Sequence, residues 1–340
     1  MKKIIVQHRS SHHSGYSGYA QLINYLKDIE VISGKSFVPD RIARFIKNNM
    51  SQKNGLFDSN SVHKNVELLK KQLFSKEKML IHYLNGERDI RQAINWAPDR
   101  LKSIATFHKP ETVLKNTISN PKYLRKLDGA IAVGVNQVNF LKEWLENEKI
   151  VYIPHGVDTN FFKPDFSKRK ENSLLFVGQH LRDFEALNFS IPRLVEKVPS
   201  IEINVVLRND FKDKILQNKN VKIYSGINDI KLRDMYQSSS FLFLPLNDVT
   251  ACNSILEAMA CGLPIITTDL EGNRGYGLND DNSILIPKSD YFQLVDRTIS
   301  SLRNQDVEQK KGDILRDNSI NFEWKNISKR VEDYYDSFIY

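Results

Sequence analysis

Short apolar segments alternate with amphipathic segments along the chain, and this alternation limits the folds that the chain can adopt. Short apolar runs are typical of buried strands, and apolar residues spaced by about three or four are typical of helices. In the second half the expected strands are Leu174–Val177, Glu202–Leu207, Val221–Tyr224, Phe241–Leu244, Ile265–Thr267 and Ile284–Ile286. The expected helices are Phe184–Lys197, Lys231–Ser238, Asn253–Cys261 and segments filling residues 291–319. Strands separated by helices predict a parallel sheet with helices on both faces.

The first half of the chain repeats this pattern. Its expected strands are Lys3–Gln7, Glu30–Ser33, Met79–Leu84, Ser103–Phe107, Ala130–Val133 and Val151–Pro154. A helix is expected at about residues 19–28, helical pieces between Lys35 and Lys78, and an amphipathic helix at Glu323–Tyr340. The length of 340 residues suits two domains. We expect the boundary near Asp158–Asp165, where Pro164 and charged residues accumulate.

Composition excludes several classes of protein. Hydrophobic residues make up 41% of the chain and charged residues 26%, which is ordinary for a soluble globular protein. No apolar run approaches the ~20 residues of a membrane-spanning helix, and the N-terminal stretch lacks the apolar region of a signal peptide. The two cysteines, Cys252 and Cys261, cannot form a disulfide framework, so we expect a protein of the reducing cytoplasm.

The net charge of +8 is concentrated in the first half of the chain. Residues 1–160 hold 25 Lys and Arg against 15 Asp and Glu, a balance of +10, whereas residues 161–340 hold 24 against 26, a balance of −2. This asymmetry indicates an anionic partner for the first half, such as a membrane surface, a lipid phosphate or nucleic acid. A solvated surface rich in lysine is the alternative.

One segment of the basic half has the pattern of a membrane-surface helix. PDRIARFIKN, Pro39–Asn48, places Ile42, Phe45 and Ile46 on one helical face. The basic residues that flank this face are Arg41, Arg44 and Lys47. Such a helix can lie on an anionic membrane, or it can pack on its own core.

The stretch LEAMACGLPIITTD, from Leu256 to Asp269, predicts a helix that ends at Gly262 and a buried strand that follows it. Glu257 lies near the start of this helix, which we expect to be exposed. Free N–H groups and the positive end of the helix dipole favour an anion there, such as a diphosphate. Parallel α/β sheets bind nucleotides where such helices begin, at the carboxyl ends of the strands. The stretch therefore predicts a nucleotide site.

Together with IPHGVDTNFFKP at residues 153–164, this stretch resembles the family 4 retaining glycosyltransferases. Further matching segments, in the same order and spacing, are SIATFHKP (103–110), LDGAIAVG (127–134), LLFVGQHLRD (174–183) and NVKIYSGINDIKLRDMYQSSSFLFLP (220–245). The resemblance implies the GT-B fold, in which two Rossmann-like doubly wound α/β domains face a cleft and a C-terminal helix returns to the first domain. It implies an acceptor-binding domain at residues 1–158, completed by residues 322–340, and a nucleotide-sugar-binding domain at residues 159–321.

The resemblance assigns Glu257 to the ribose hydroxyls of the donor, which suits a carboxylate because it can accept two hydrogen bonds from neighbouring hydroxyl groups. An ordinary glutamate that is stabilised by the helix dipole is the alternative. The family has a second acidic residue eight positions earlier, where this chain has Val249. Either Asp248 beside it reaches the donor sugar, or that contact is missing. Backbone N–H groups around Asn253 and Ser254 are expected to bind the diphosphate.

The resemblance also implies positive charge for the leaving diphosphate and a histidine at the cleft. The family usually has an Arg and a Lys shortly after the VG of the second domain's first strand. Here Gln179 follows VG, and Arg182 is the expected catalytic cation unless it is a surface residue paired with Asp183. Arg208 is a second candidate for donor binding. His108 matches the cleft histidine and is expected to position the donor sugar or to stabilise charge at the reacting carbon.

The loop HRSSHHSGYSG, residues 8–18, is expected to bind the acceptor. Gly15 and Gly18 let the backbone approach a ligand, and His12 and His13 would line the site. With His8 these histidines resemble a metal cluster, but no carboxylate or cysteine at ligand spacing accompanies them. We therefore expect neither a metal nor another cofactor.

These observations predict a retaining glycosyltransferase of the hexosyltransferase type. We expect a nucleotide diphosphate sugar as donor, a UDP-sugar being favoured over a GDP-sugar, and a saccharide or lipid-linked acceptor of bacterial surface polysaccharide or glycolipid assembly. The basic first domain is expected to contact the inner face of the membrane. A GT-B epimerase or phosphorylase would share the architecture. A nucleic-acid-binding protein would explain the basic half, but it predicts interleaved aromatic residues that are not evident, so nucleic acid is not an expected partner.

Overall fold

A computed structural model of the chain describes residues 1–7, 15–50, 58–90 and 92–338. His8, His12 and His13 lie outside the described residues. The described chain divides into two compact units, the first with residues 1–7, 19–154 and 325–338, and the second with residues 15–18 and 155–324. The division after Pro154 precedes the expected boundary at residues 158–165, and residues 15–18 group with the second unit. Acceptor and donor roles for the two units remain predictions.

The first unit is built on a parallel sheet with six strands in its described residues. The strands are β1 (Lys2–Val6), β2 (Ile29–Ile32), β3 (Met79–Tyr83), β4 (Leu101–Phe107), β5 (Gly129–Ala132) and β6 (Ile150–Tyr152). Their order is β2-β1-β3-β4-β5-β6, and every neighbouring pair is parallel. All residues of β3 are buried, as expected for a strand covered on both faces.

Helices cover this first sheet. Those that precede the second unit are α1 (Asp40–Met50), α2 (Ser59–Phe74), α3 (Gly86–Asp89), α4 (Gln92–Asn95), α5 (Glu111–Thr117) and α6 (Val138–Leu145). In its described residues, the stretch from Lys35 to Lys78, where helical pieces were expected, thus forms two α-helices, α1 and α2. Asp58 fixes the start of α2, because its carboxylate accepts the Ser61 backbone N–H at 2.8 Å.

The helix expected at about residues 19–28 is shorter than predicted and is not an α-helix. The segment forms a short 3₁₀-helix, Tyr19–Asn24. Its two buried residues, Tyr19 and Leu22, are three positions apart, which is the repeat of a 3₁₀-helix. Asp28 then adopts a left-handed conformation with φ of 52°, so the chain cannot continue as a helix into β2.

The second unit contains a second parallel sheet, also with six strands in the described residues. The strands are β7 (Ser173–Val177), β8 (Glu202–Val206), β9 (Val221–Tyr224), β10 (Phe241–Leu244), β11 (Ile265–Thr268) and β12 (Ile284–Ile286). The helices are α7 (Phe184–Lys197), α8 (Asp229–Ser238), α9 (Asn253–Ala260), α10 (Glu271–Arg274), α11 (Tyr291–Arg303) and α12 (Gln305–Ser319). The strand order is β12-β11-β10-β7-β8-β9, so the winding reverses between β7 and β10. Ligands of doubly wound sheets bind at the carboxyl ends of strands beside such a reversal.

The final helix, α13 (Trp324–Asp336), returns the chain to the first unit from residue 325 onward. The Tyr335 hydroxyl is hydrogen-bonded to His82 Nδ1 at 2.6 Å, and the Tyr334 hydroxyl donates to the Lys149 carbonyl at 2.7 Å. A Cβ on Gly129 would lie 2.1 Å from the Tyr334 hydroxyl, so only glycine allows this contact. Among the described helices, none has the length and apolarity needed to cross a membrane.

His155 and Gly156 of the IPHG segment pack within the second unit. A Cβ on Gly156 would lie 2.4 Å from the Trp324 indole, so a glycine is required for the close approach. The His155 ring packs edge-on against the same indole, with ring centroids 5.3 Å apart. His155 therefore has a structural role in the second unit.

Candidate active site

The turn after β7 fixes Arg182 at the point where the second sheet reverses its winding. Gly178 has φ of +91°, and a Cβ at this position would lie 2.9 Å from Arg182 Nη2. The guanidinium donates to the backbone carbonyls of Val177 at 2.8 Å and His180 at 3.0 Å. These bonds hold the cation in one orientation without neutralising it. Asp183, the alternative partner considered for Arg182, instead caps α7 by accepting from the Ala186 N–H at 2.8 Å.

Arg182 also reaches the first turn of α9. Its Nη2 donates to the Ser254 hydroxyl at 3.2 Å and lies 3.6 Å from Cys252 Sγ. The N-terminal turn of an α-helix presents free N–H groups and a partial positive charge. The predicted residues Arg182 and Ser254 are thus brought together, and the arrangement favours an anion of the size of a phosphate.

Glu257 lies in the second turn of α9, and the expectation that the start of this helix is exposed is wrong, because Cys252 and Ser254 are buried. Helix α9 begins at Asn253, and only 4% of Glu257 is exposed. One carboxylate oxygen accepts the Ser17 hydroxyl at 2.6 Å, and the other accepts the Tyr236 hydroxyl at 2.9 Å. Glu257 is therefore a buried acceptor whose partners in this structure are hydroxyl groups.

Burial raises the pKa of Glu257 to about 7, since an apolar environment disfavours the charged form. The hydrogen bonds from Ser17 and Tyr236 act in the opposite direction, as does the positive charge of Arg182. The carboxyl group is thus balanced between its two protonation states near neutral pH.

Residues 15–18 lie against this site. The Tyr16 ring stacks on Phe161, with centroids 3.8 Å apart, and the Tyr16 N–H donates to Asp229 at 3.2 Å. A narrow crevice without room for a water molecule lies between this segment and α9. It is lined by Tyr16, Ser17, Gly18, Gly156, Val157, Asn253, Leu256 and Glu257. Gly15 and Gly18, predicted to bind the acceptor, thus belong to the segment that contacts the predicted donor residues.

Arg208 and Asp248, which were also predicted to bind the donor, are bonded to neighbouring residues. The Arg208 guanidinium is exposed and forms an ion pair with Asp210, with Nε 3.0 Å from Oδ1. Asp248 is half-buried, and its carboxylate accepts the N–H of Val249 at 2.7 Å. Val249 is buried against the Gly272 backbone. Asn253 donates through Nδ2 to the Ser17 hydroxyl at 3.5 Å, and the same hydroxyl is bonded to Glu257.

Two residues of the second unit that were not predicted from the sequence complete this site. Ser17 and Tyr236 are separated from Glu257 by 240 and 21 positions, and neither belongs to a motif that signals a contact with a carboxylate. Tyr236 lies on α8 and is fully buried. Only the packing of α8 against α9 brings its hydroxyl to Glu257.

In the first unit, the predicted catalytic residue His108 follows β4. Its Nε2 donates to the Leu84 carbonyl at 2.7 Å, and its backbone N–H donates to the buried carboxylate of Glu87 at 3.2 Å. Burial lowers the pKa of His108 to about 4 and raises that of Glu87 to about 7. Because a carbonyl can only accept, Nε2 carries the proton and Nδ1 is the acceptor of a neutral imidazole. Glu87 was not predicted, and it fixes the backbone at His108.

The described residues contain no group of three or more His, Cys, Asp or Glu side chains arranged to hold a metal ion. The phosphate-favouring features of the second unit are instead the Arg182 guanidinium and the start of α9. The expectation that the protein has no cofactor remains a prediction.

Binding of a nucleotide sugar should strengthen as the pH rises through about 7. The predicted role of Glu257, which is to accept two ribose hydroxyls, requires an ionised carboxylate, and below its raised pKa the group must first lose a proton. Calorimetric titration with a UDP-sugar should show roughly tenfold tighter binding at about pH 8 than at about pH 6.

The control for this pH dependence is Glu257→Gln, whose affinity should change little over the same interval. In the absence of ligand, the neutral acid is the favoured folded form below about pH 7. Its contribution to the free energy of unfolding is complete below the ordinary value of 4.5 and is lost as the pH rises through about 7. Equal pH profiles for parent and Gln variant would contradict the assignment.

Residues 171–304 match the sequence model of the family described as Glycosyl transferases group 1. The chain is 24% identical over 254 residues to phosphatidyl-myo-inositol mannosyltransferase of Mycolicibacterium smegmatis, covering 69% of this chain and 64% of that protein. It is 22% identical over 213 residues to one of the subunits of the Homo sapiens phosphatidylinositol N-acetylglucosaminyltransferase, covering 58% and 43% of the two proteins. The chain thus spans less than two thirds of the length of either relative.

Solved structures resemble nearly the whole chain. Sucrose-phosphate synthase of Thermosynechococcus elongatus superposes with a TM-score of 0.72 at 15% identity, covering 99% of this chain and 98% of that one. The Anabaena protein HepE in complex with UDP-glucose superposes with a TM-score of 0.70 at 12% identity, covering 98% and 99%. At these identities the likeness concerns the fold, and it confirms the GT-B fold expected from the sequence.

Proposed function

We propose that this chain, a glycosyltransferase with the GT-B fold, transfers a sugar from a nucleotide diphosphate sugar to an acceptor hydroxyl with retention of configuration. The proposal rests on two features of helix α9. Glu257 on this helix accepts hydrogen bonds from two hydroxyl groups, and the first turn of the same helix contacts Arg182. One end of this site suits vicinal hydroxyls and the other suits phosphate. A nucleotide diphosphate presents both groups.

Glu257 would hold the ribose of the donor. The Ser17 hydroxyl now donates to one of its oxygens at 2.6 Å, which is a bond of the kind that a ribose hydroxyl would make. Tyr236 donates to the other oxygen and, being buried, would remain in place to orient the carboxylate. The ribose would thus replace or join Ser17 at Glu257.

Arg182 would neutralise the diphosphate as it leaves. Negative charge on the leaving group grows in the transition state, so a fixed cation lowers the barrier more than it strengthens ground-state binding. The carbonyls of Val177 and His180 hold the guanidinium, so little reorganisation would be needed during the reaction. No protein nucleophile is assigned, and the departing diphosphate would help to take the proton of the attacking hydroxyl.

His108 would contact the donor sugar as a neutral imidazole. With its pKa lowered to about 4, it is unprotonated on Nδ1 at neutral pH and is too weak a base to remove a hydroxyl proton efficiently. A hydrogen bond from a sugar hydroxyl to Nδ1 suits this state. Glu87 would act as a positioning residue through the backbone of His108.

A UDP-sugar is the favoured donor, because structural neighbours of this fold have been solved with UDP-glucose, UDP and N-acetylglucosamine. A thermal-shift panel of UDP, GDP and ADP with their sugars tests the proposal, since a ligand that binds the native state raises its stability. A shift with one family of nucleotides supports it, and the absence of any shift contradicts it. Added acceptor then separates transfer from epimerase or phosphorylase activity.

Transfer should not require a divalent metal. Arg182 and the start of α9 provide the positive charge that a metal would otherwise bring to the diphosphate. Turnover measured with excess EDTA should equal turnover in untreated buffer. Loss of turnover that returns on addition of magnesium or manganese would contradict this prediction.

We propose a lipid-linked acceptor and reversible membrane contact through α1. Two apolar residues of this helix face solvent, Ile42 at 50% and Phe45 at 69% exposure, while Ala43 and Ile46 pack against α2. The helix therefore exposes apolar side chains beside its basic residues. The named curated relatives are enzymes of phosphatidylinositol glycosylation, which agrees with an anionic lipid acceptor.

Neutralising Arg41, Arg44 and Lys47 together to Gln should weaken sedimentation with anionic vesicles at low salt. Each basic residue near anionic lipid contributes on the order of 1 kcal/mol, so the triple variant should bind roughly 100-fold more weakly. Salt should release the parent protein as charges are screened.

The matched control for this membrane prediction replaces three exposed lysines of the second unit with Gln. These lysines are Lys212, Lys219 and Lys310. The control removes the same charge and should retain most of the binding. If both triple variants behave alike, or if the parent ignores anionic vesicles, the acceptor is better sought among soluble saccharides.

A further inference from the structure

A groove in the first unit lies between the chain that follows β2 and the face of α2. It has about 1250 Å³ of empty space, open to solvent. It is lined by Gly34, Lys35, Ser36, Phe37, Val38, Asp40, Asn60, His63, Val66, Glu67 and Lys70. None of these residues has a part in the donor site described above. The groove follows the carboxyl end of β2, the side of a parallel sheet on which ligands bind.

The wall of the groove is held rigidly by backbone contacts. Gly34 has φ of +94°, and a Cβ there would lie 2.2 Å from Asn60 Oδ1, so the loop can lie on α2 only with glycine at this position. One oxygen of Glu67 accepts the N–H groups of Gly34 at 3.1 Å and Lys35 at 2.9 Å. Much of the negative charge of Glu67 is thus directed to the backbone of the loop.

The second acidic residue is also engaged. His63, which is 8% exposed, binds the Ser36 hydroxyl through Nδ1 at 2.8 Å and the Asp40 carboxylate through Nε2 at 3.0 Å. Since a carboxylate can only accept, His63 Nε2 donates the hydrogen bond to Asp40. Ser36 accepts in turn from the Val38 N–H at 3.3 Å. These hydrogen bonds fix the positions of Ser36, Asp40 and His63, which line the groove.

The two lysines are not engaged in this way. Lys35 and Lys70 are exposed, and among the described residues neither ammonium group has a hydrogen-bond or ion-pair partner. Two positive charges therefore border a groove whose acidic groups already have partners. Phe37, with 80% exposure, and the side chains of Val38 and Val66 add an apolar border. The groove is suited to an anion that is attached to an apolar or neutral body.

We propose that this groove binds the phosphate ester of the acceptor, with Lys35 and Lys70 as its cationic contacts. Lysine binds phosphate as a mobile point charge and needs no fixed geometry, in agreement with the exposure of both side chains. The use of the groove in catalysis rests on the transferase proposed above, whereas its affinity for phosphate does not. Asp40 is also the first residue of α1, so a lipid held by that helix would present its headgroup next to the groove.

Binding of glycerol phosphate, without any nucleotide, tests the groove apart from membrane attraction. The Lys35→Gln/Lys70→Gln variant should bind glycerol phosphate roughly tenfold more weakly than the parent in a calorimetric titration. Lys76→Gln/Lys78→Gln removes equal charge from exposed positions of the same unit and should change the affinity less than about twofold. The Arg41, Arg44 and Lys47 triple variant should also retain its affinity for glycerol phosphate.

A second arm uses phosphatidylcholine vesicles with and without phosphatidic acid, and it distinguishes a lipid phosphate from a free one. If the Lys35/Lys70 variant loses affinity only for vesicles that contain phosphatidic acid, the ligand is a lipid headgroup. If it loses affinity only for glycerol phosphate, the ligand is a soluble ester. Equal losses in the Lys76/Lys78 control, or no loss in either arm, overturn the proposal. UDP affinity of the same variants should be unchanged. Phosphate binding without nucleotide binding would sink the transferase proposal and leave the groove intact.

Discussion

Replacing Glu257 with alanine should weaken nucleotide binding by roughly 3 kcal/mol, or about 100-fold, because two hydrogen bonds from ribose hydroxyls to a carboxylate are lost. The loss should appear with UDP and with a UDP-sugar alike, since both carry the ribose. Titration calorimetry measures the affinity directly. The alanine variant should also melt at a lower temperature, because the buried Tyr236 hydroxyl then loses its partner.

Glu257→Gln separates binding from stability in this experiment. The amide oxygen can still accept from Tyr236, so the folded state should survive while the charge that attracts the ribose hydroxyls is lost. Glu271→Ala, at an exposed glutamate of the same unit, is the matched control and should bind as the parent does. If the Gln and Ala variants of Glu257 bind the nucleotide as tightly as the parent and melt at the parent's temperature, Glu257 does not belong to the donor site.

Replacing Arg182 with alanine should lower kcat by roughly 100- to 1000-fold and change nucleotide affinity far less. That range is typical for the loss of one preorganised group that stabilises charge in a transition state. Steady-state kinetics with a UDP-sugar gives kcat, and titration with UDP gives the ground-state affinity. Arg182→Lys retains the charge without the forked geometry and should recover part of the lost rate.

Arg303→Ala is the control for Arg182, since it removes the same type of side chain from an exposed position of the same unit that has no predicted role in donor binding. It should change kcat by less than about threefold. If Arg182→Ala reduces affinity as strongly as turnover, Arg182 anchors the donor without a special role in the transition state. Unchanged kcat in the Arg182 variant would remove it from the catalytic step.

The elements of both sheets could be predicted because their signals are local. Leu174–Val177 and Phe241–Leu244 are short apolar runs, and they form β7 and β10 within one residue of the expected bounds. Periodicity was misleading near residue 19, where a 3₁₀-helix buries Tyr19 and Leu22 and Asp28 ends the segment with a positive φ. Local patterns identify apolar positions there, but they do not separate a 3₁₀-helix from an α-helix over so few residues.

The sequence by itself determined the alternation of strands and helices and the basic first half. It also determined that Arg182 follows β7 and that Glu257 lies on α9. Only the tertiary structure decided the strand order that puts β7 next to β10, and with it the meeting of Arg182 with Ser254. It also decided that Glu257 is buried between the hydroxyls of Ser17 and Tyr236, where its pKa rises to about 7. Propensity and periodicity act over a few neighbouring residues, whereas burial and hydrogen bonding depend on groups that folding brings together from distant parts of the chain.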